Sequence, residues 1–172
     1  MYYYSLAARL LMPVILSSNL LSKLFYPLTI NASFFFLKII NFQAFLISPY
    51  IITTENYIRF SQACAAISAY FLLLLLIILT KDIKLKTRIK MFLLGSAIIF
   101  SVNLIRILLL IVILEKYGFN AFQQIHDVFW IIFGSLLVAL TWISLIHYYK
   151  VKSIPIYSDL RYLLKQTKLF KL

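Results

Sequence analysis

Long apolar runs separated by short charged segments set the hydrophobic pattern of the chain. Three of these runs have the length that a helix needs to cross a hydrocarbon core of about 30 Å. They cover about residues 64–80, 91–114 and 128–149, and the first contains eight consecutive leucines and isoleucines over 72–79. Each run therefore predicts a membrane-spanning helix.

Two upstream segments predict further helices. Residues 24–45 form an apolar stretch that is long enough to span, with Pro27 near its start. Residues 5–21 are apolar but short, and they carry Arg9. This second segment is either a fifth span or a helix that lies in the membrane interface.

A different pattern occurs in residues 48–60, which mix β-branched and aromatic residues around a Ser-Pro turn signal. This pattern predicts a short extended or hairpin-like element just before the helix that is expected to begin at Cys64. The fold class is then all-α. We expect a polytopic transmembrane bundle of four or five spanning helices, with this extended segment on the extracytoplasmic side.

The composition excludes a soluble domain, since 63% of the 172 residues are hydrophobic and 13% are charged. The sequence predicts a single integral membrane domain over residues 1–172, with its core at about 45–149 and a basic tail at 150–172. The formal net charge is +12. It does not indicate nucleic-acid binding, because the basic residues cluster between apolar runs instead of covering a soluble face.

Charges in the connecting segments predict the orientation. Residues 81–90 carry five basic residues against one acidic, and the tail carries six against one. By the positive-inside rule both segments should be cytoplasmic, with residues 46–63 and 115–127 on the outer face of the plasma membrane. Glu115 and Asp127 in the outer segments are interpreted as solvated charges.

Arg106 is the most informative single residue, because it interrupts the almost unbroken apolar run 97–114. A charge at that depth costs several kcal/mol unless it faces the protein interior or a wet cavity, and such a charge indicates a functional group. No aspartate or glutamate lies in a predicted span to pair with it. Asn103, one helical turn earlier, is expected on the same face and would help to hold it.

Cys64, the only cysteine, and His126, one of two histidines, each fall where an apolar run begins at the predicted outer face. A cationic neighbour favours a nucleophilic thiolate, an imidazole can take and return its proton, and a fixed guanidinium can stabilise an oxyanion. The predicted site therefore consists of the catalytic residues Cys64, Arg106 and His126, with Asn103 in support. His147, near the predicted cytoplasmic face, is interpreted as structural.

The sequence lacks the residues that metal-dependent and aspartate-dependent catalysis require. A single cysteine excludes an intramolecular disulfide and a multi-cysteine metal site, and the predicted spans contain no pair of carboxylates. No cofactor and no metal are predicted. A lone cysteine in an apolar segment is more often an inert small side chain. The alternative is therefore a non-catalytic membrane subunit or small transporter component in which Arg106 binds an anionic lipid or ligand.

Three short motifs occur in order along residues 45–149. They are Ala63-Cys64-Ala65-Ala66-Ile67-Ser68, Asn103-Leu104-Ile105-Arg106-Ile107, and His126 followed eight residues later by Gly134. Together they resemble the cysteine box, the Asn-x-x-Arg motif and the last-span motif of the exosortase/archaeosortase family of membrane cysteine transpeptidases. One position departs from that pattern, since many members of the family have Cys-Ser-Gly where this chain has Cys64-Ala65-Ala66.

The resemblance implies a cysteine-dependent peptidase and transpeptidase. Its substrates would be exported proteins that end in a C-terminal sorting signal, made of a short motif, a membrane helix and a basic tail. It would cleave them outside that helix and transfer the new carboxyl end to an acceptor, such as a lipid, for anchoring at the cell surface. The implied partners are these substrate proteins and membrane lipids, and no nucleic acid.

Overall fold

The computed structural model describes residues 18–40, 42–80 and 83–151. The predictions for residues 5–17 and for the tail beyond residue 151 lie outside these ranges. Within them the chain is mostly helical. In chain order its elements are α1 (Ser18–Ile39), β1 (Ala44–Ile47), β2 (Tyr50–Thr53), β3 (Tyr57–Arg59), α2 (Ile67–Leu79) and α3 (Leu85–Tyr148).

Helix α1 has a buried side and an exposed side, and both are apolar. Leu21, Phe25 and Leu37 are buried at spacings that are multiples of four, whereas Leu24 and Phe35 are exposed. Such an exposed face suits contact with lipid. The helix starts before the predicted residue 24 and ends before residue 45, because the chain then turns into strand β1.

The three strands form an antiparallel sheet in the order β1-β2-β3. The sheet begins at Ala44, earlier than the segment 48–60 for which an extended or hairpin-like element is predicted. Phe45 pairs with Ile52, and Ile52 pairs with Tyr57, so these side chains share one face. The opposite face buries Ala44 and Ile51. The sheet is therefore one-sided, with its inner face packed on the protein.

The thiol of Cys64 lies before a helix and not within one. A helix is predicted to begin at Cys64, whereas residues 62–66 form a turn and α2 begins at Ile67. Ala66 adopts φ 54° and ψ 35°, a left-handed conformation that costs a residue with a Cβ roughly 1–2 kcal/mol. Because Ala66 ends the turn in this conformation, the helix starts three residues later than predicted.

Helix α3 is a helical hairpin. Gly118 interrupts it with φ 77° and ψ −179°, a conformation that glycine adopts far more readily than other residues. A Cβ placed on Gly95 would lie 2.8 Å from Leu145 Cδ1, and Arg106 and Gly134 line one cavity. The pairs Gly95–Leu145 and Arg106–Gly134 are both centred on residue 120 of the sequence, two residues after Gly118. The part of α3 after this bend, here called the returning part, therefore runs back antiparallel beside the first part.

The hairpin corrects one prediction. Residues 115–127 are expected to form a loop, but they are helical on both sides of Gly118. This segment contains one glycine and no proline, so no other residue in it is a strong helix breaker. His126 consequently lies inside a helix instead of at the start of one.

Two helical stretches among the described residues have the length and composition to cross a membrane, Asn19–Ile39 and Leu85–Phe129. Two shorter apolar helices accompany them, Ile67–Leu79 and Gly134–Tyr148. Asn19–Ile39 lies in α1 and Ile67–Leu79 is α2. Leu85–Phe129 contains the first part of α3 and runs past Gly118, and Gly134–Tyr148 lies in the returning part. The number of spans in a bilayer belongs to the proposal below.

Arg88 ties the end of α2 to the start of α3. Its guanidinium donates to the carbonyl oxygens of Ile78, Thr80 and Ile83 at 2.8, 2.9 and 3.1 Å. The last carbonyls of a helix lack partners within the helix, so these bonds satisfy them and hold this end of α2 in place.

Candidate active site

Cys64 lies in the turn that connects the end of strand β3 to helix α2. Phe60 is buried, its N–H donates to Pro49 O at 2.8 Å, and its carbonyl accepts from the Tyr26 hydroxyl at 3.0 Å. Ser61 follows, and its Oγ lies 3.4 Å from Cys64 Sγ and accepts from the Cys64 N–H at 3.3 Å. The thiol therefore lies in a turn whose start is anchored to both the sheet and α1.

Asn103 holds this turn against α3. Its side chain is buried, with 3% of its surface exposed, and its Nδ2 donates to Cys64 O at 2.9 Å. Removing one partner of a buried hydrogen bond is costly, because the other is left unsatisfied. The sequence predicts that Asn103 supports Arg106, but it gives no sign that the amide binds the main chain of the cysteine.

Arg106 lies one helical turn after Asn103, at a cavity of about 320 Å³. Ala63 and Ala66, on either side of Cys64, line the same cavity, so the turn that bears the thiol borders the space at which the guanidinium lies. The Nε of Arg106 is buried, and no hydrogen-bond partner reaches it within the described part of the chain. An unpaired buried donor costs about 1–3 kcal/mol, so the guanidinium is poised to bind an oxygen atom.

Small side chains form much of the remaining cavity wall. Ser68 and Ala69 of α2 contribute from one helix, and Gly134 and Ser135 contribute from the returning part of α3. Ser68, Gly134 and Ser135 are exposed, so the cavity opens at the side of the helices. A peptide chain has room to approach Arg106 through this opening.

His126 lies closer to the bend of the hairpin. In the antiparallel alignment of the two parts of α3, His126 lies at the level of Leu114. It is therefore about 12 Å from Arg106 along the helix axis. Its ring stacks on Phe122 with the centroids 5.5 Å apart, and its Nδ1 lies 3.5 Å from Asp127 Oδ1. These contacts orient the imidazole within its own helix.

The predicted site therefore has two parts in the structure. Asn103 binds the main chain of Cys64, and Arg106, one turn further along α3, lines a cavity together with Ala63 and Ala66 of the cysteine turn, whereas His126 lies toward the bend. His147 is exposed near the other end of the same helix. The participation of His126 in the chemistry stays a prediction.

Glu115 is interpreted from the sequence as a solvated charge, but in the structure its carboxylate accepts three hydrogen bonds from the sheet and its turn. Its carboxylate accepts from Thr53 Oγ1 at 2.9 Å, from Asn56 Nδ2 at 2.8 Å and from the Glu55 N–H at 3.3 Å. Thr53 is the last residue of β2, and Glu55 and Asn56 lie in the turn between β2 and β3. The carboxylate thus fastens the sheet to α3 near the bend, and so it helps to fix the strand that leads to Cys64.

The cavity has the groups that nucleophilic attack on a carbonyl requires. A cation near a thiol favours the thiolate, which is the nucleophilic form. A guanidinium with an unpaired donor can hold the oxygen that becomes negative when the thiolate attacks. Alanine and leucine side chains form part of the wall, and apolar surroundings strengthen such an electrostatic interaction. The arrangement is therefore suited to acyl transfer through a thioester.

Among protein-family models, the one described as transmembrane exosortase matches residues 4–143. This range covers most of the chain, and it includes the cavity residues and His126. Neither the curated proteins nor the solved structures give a match.

Proposed function

Because the chain belongs to the transmembrane exosortase family, we propose that it is a membrane-embedded cysteine transpeptidase whose nucleophile is Cys64. The observation that carries this proposal is geometric: Asn103 binds the main chain of Cys64 one helical turn before Arg106, and the buried Nε of Arg106 has no hydrogen-bond partner among the described residues. The oxyanion of a tetrahedral intermediate would supply that partner, and it would do so at the moment when charge develops.

The substrates that we assign are exported proteins with a C-terminal sorting signal, which consists of a short motif, a membrane helix and a basic tail. Such a helix can lie in the same bilayer beside the apolar helices of the enzyme. The basic tail keeps its end of the substrate cytoplasmic, so the motif reaches the outer face, where we place Cys64. Cleavage there, followed by transfer to an acceptor, would anchor the exported part at the cell surface.

In the first half of the reaction, the sulfur of Cys64 attacks the carbonyl carbon of the scissile peptide bond. Arg106 binds the negative oxygen of the intermediate, and Asn103 holds the turn that bears the thiol. The carbon–nitrogen bond then breaks and a thioester remains. The proton that the thiol loses ends on the leaving amine, which departs with the membrane helix and tail of the substrate.

We assign His126 to the second half of the reaction. It lies toward the bend of α3, which faces outside in the orientation that we propose, so an acceptor arrives on its side. Because His126 lies about 12 Å from the level of Arg106, the proton of the attacking group reaches the imidazole through water while that group bonds to the carbonyl carbon. The carbon–sulfur bond breaks, and the proton passes from the imidazolium back to the sulfur by the same route.

The membrane arrangement is part of the proposal. Helices α1 and α2 and the two parts of α3 would supply four spans, with residues 81–90 and 150–172 cytoplasmic and with the sheet and the bend outside. The 13 residues of α2 cover about 20 Å at 1.5 Å per residue. The turn over residues 62–66 completes the path of this span toward the outer face.

Co-expression with reporter proteins tests the proposed function. Each reporter ends in a short extended motif, an apolar helix of about 20 residues and a basic tail, and a panel of motifs is compared. Intact-protein mass spectrometry is expected to show loss of the helix and tail only in cells that contain the enzyme. Reporters that stay full-length across the panel would instead favour a non-catalytic membrane subunit in which Arg106 binds an anionic lipid.

Replacement of the two histidines separates a catalytic from a structural imidazole. His126→Ala is expected to slow product formation about a hundredfold or more, which is the usual contribution of a general base, whereas His147→Ala should stay near the wild type. Because His126 is assigned to the second half, the reporter should accumulate on Cys64 as a thioester that hydroxylamine releases. Equal losses in the two variants, or no thioester in His126→Ala, would contradict this assignment.

Thiol labelling checks the orientation. In a Cys64→Ala background, the variants Lys86→Cys and Asn120→Cys each carry one cysteine, on opposite predicted faces. An impermeant reagent added to intact cells is expected to label position 120 at once and position 86 only after permeabilisation. The reverse pattern would overturn the membrane arrangement.

A further inference from the structure

Strand β3 forms an open edge of the sheet. It pairs with β2 on one side, and no helix among the described residues packs along its other side. The N–H of Thr53 donates to Asn56 O across the ladder, so Asn56 and Ile58 direct their main-chain groups toward β2. Since these directions alternate along a strand, the N–H and C=O groups of Tyr57 and Arg59 point away from the sheet.

This strand leads to the thiol in a defined direction. Asn56, just before β3, donates to Glu115 near the bend of α3, and Cys64, after β3, accepts from Asn103. Glu115 and Asn103 are 12 residues apart on α3, or about 18 Å along the helix axis. The chain from β3 to Cys64 therefore runs from the level of the bend toward the cavity.

We propose that the extended segment of a substrate before its scissile bond adds to this edge as a fourth strand, parallel to β3. This proposal rests on the proposed function, in which the substrate chain runs from an exported domain toward its membrane helix. β3 runs in the same direction, from the bend toward Cys64. A parallel strand beside β3 thus carries its carboxyl end to the cavity, whereas an antiparallel strand would carry the scissile bond away from the thiol.

The edge offers main-chain groups together with accessible side chains. Tyr57 is 79% exposed, and Arg59 is exposed as well. Strand addition takes its affinity from main-chain hydrogen bonds and its selectivity from alternate side chains. We therefore expect the enzyme to recognise the extended backbone of the motif, with every second substrate side chain lying beside Tyr57 or Arg59.

Proline at position 59 tests this use of the edge. The Arg59 N–H takes no part in the pairing with β2, and proline is tolerated where an edge N–H faces outward. Arg59→Pro is expected to lower kcat/KM for reporter cleavage about tenfold, mainly through KM, because it removes a donor and obstructs the added strand. Arg59→Ala loses the same side chain but keeps the N–H, so it is the matched reference, and kcat/KM of Arg59→Pro is expected to lie about tenfold below that of Arg59→Ala. Alkylation of Cys64 by iodoacetamide should proceed at the same rate in both variants.

Photocrosslinking tests the position of the substrate independently. In a Cys64→Ala background the precursor stays uncleaved, and Tyr57→p-benzoylphenylalanine is expected to capture the motif of the reporter. Phe45→p-benzoylphenylalanine is the control, because Phe45 is 71% exposed on the same face but lies two strands away, at a distance of about 10 Å. It should capture little or none.

The outcomes separate this inference from the proposed function. Equal capture from positions 57 and 45, or wild-type kinetics in Arg59→Pro, would overturn strand addition while leaving the transpeptidase intact. If the wild-type enzyme cleaves no reporter in the panel, the proposed function itself fails, and strand addition fails with it. Capture at position 57 together with a raised KM in Arg59→Pro supports both.

Discussion

Cys64→Ala and Cys64→Ser are both expected to reduce reporter processing to background while membrane insertion stays unchanged. The chain contains no other thiol, and the alanines on either side of this one line the cavity at which Arg106 lies. A serine hydroxyl would occupy the same position, but it ionises far less readily than a thiol, and a nearby cation does not close that gap. Loss of the nucleophile in an acyl-transfer enzyme costs on the order of 10⁶ in kcat.

Ser61→Ala is the matched control for the cysteine variants. It deletes the hydroxyl that lies 3.4 Å from Cys64 Sγ and leaves the thiol in place, so processing should fall only several-fold as the turn loosens. Mass spectrometry of the reporter and the yield of enzyme in the membrane fraction are the two readouts. Processing that persists in Cys64→Ala would rule out thiol catalysis.

Arg106→Lys is expected to lose about a hundredfold in processing rate, and Arg106→Ala more. Lysine keeps the charge, but it lacks the planar array of donors that can hold an oxyanion from a fixed direction. Removal of one oxyanion donor in other acyl-transfer sites costs on the order of 3 kcal/mol, which corresponds to about a hundredfold in rate. Single-turnover cleavage of the reporter would measure this loss at the first chemical step.

Yield and fold distinguish a catalytic from a structural Arg106. Arg106→Ala should accumulate in the membrane at least as well as the wild type, because it removes the cost of inserting an unpaired buried charge. Arg106→Lys keeps the charge and should accumulate about as well as the wild type. Lys86→Ala, which removes an exposed basic residue outside the cavity and outside the strand edge, controls for a change of net charge. Normal processing by Arg106→Ala, or inactivity that follows only from a failure to fold, would make Arg106 structural.

The sequence is informative about the helices and about the position of Arg106 at a cavity, because both depend on local physics. An apolar run in a membrane must satisfy its main-chain groups within the segment, so it becomes a helix. A guanidinium in such a helix must face the protein or a cavity. Helix α2 lies within the predicted run 64–80, α3 contains the run 91–114 and nearly all of the run 128–149, and Arg106 does line a cavity.

The start of α2 could not be predicted from local propensity. Alanine is the strongest helix former, yet Ala66 takes a left-handed conformation outside the helix. The family resemblance contained a usable signal here, since many members have glycine at the position that Ala66 occupies. Glycine adopts this conformation without the steric cost that a Cβ imposes.

The hydrophobic pattern of the sequence does not predict contacts between residues that are far apart in the chain. Thr53 and Glu115 are 62 residues apart, so nothing in either neighbourhood indicates that they bind. The level of His126 depends on the bend at Gly118 and on the packing of Gly95 against Leu145. An apolar run predicts a helix, but it does not predict how two helices are aligned along their axes.

The opening in the cavity wall determines which measure of substrate concentration sets the reaction rate of this enzyme. Ser68, Gly134 and Ser135 are exposed at the side of the helices, where, on the proposed function, the surroundings are acyl chains instead of water. A substrate that enters there diffuses in the plane of the bilayer, so the encounter is two-dimensional. Its frequency depends on the number of substrate molecules per unit area. Adding lipid to a fixed amount of both proteins would slow the reaction, whereas adding buffer to the same vesicles would not.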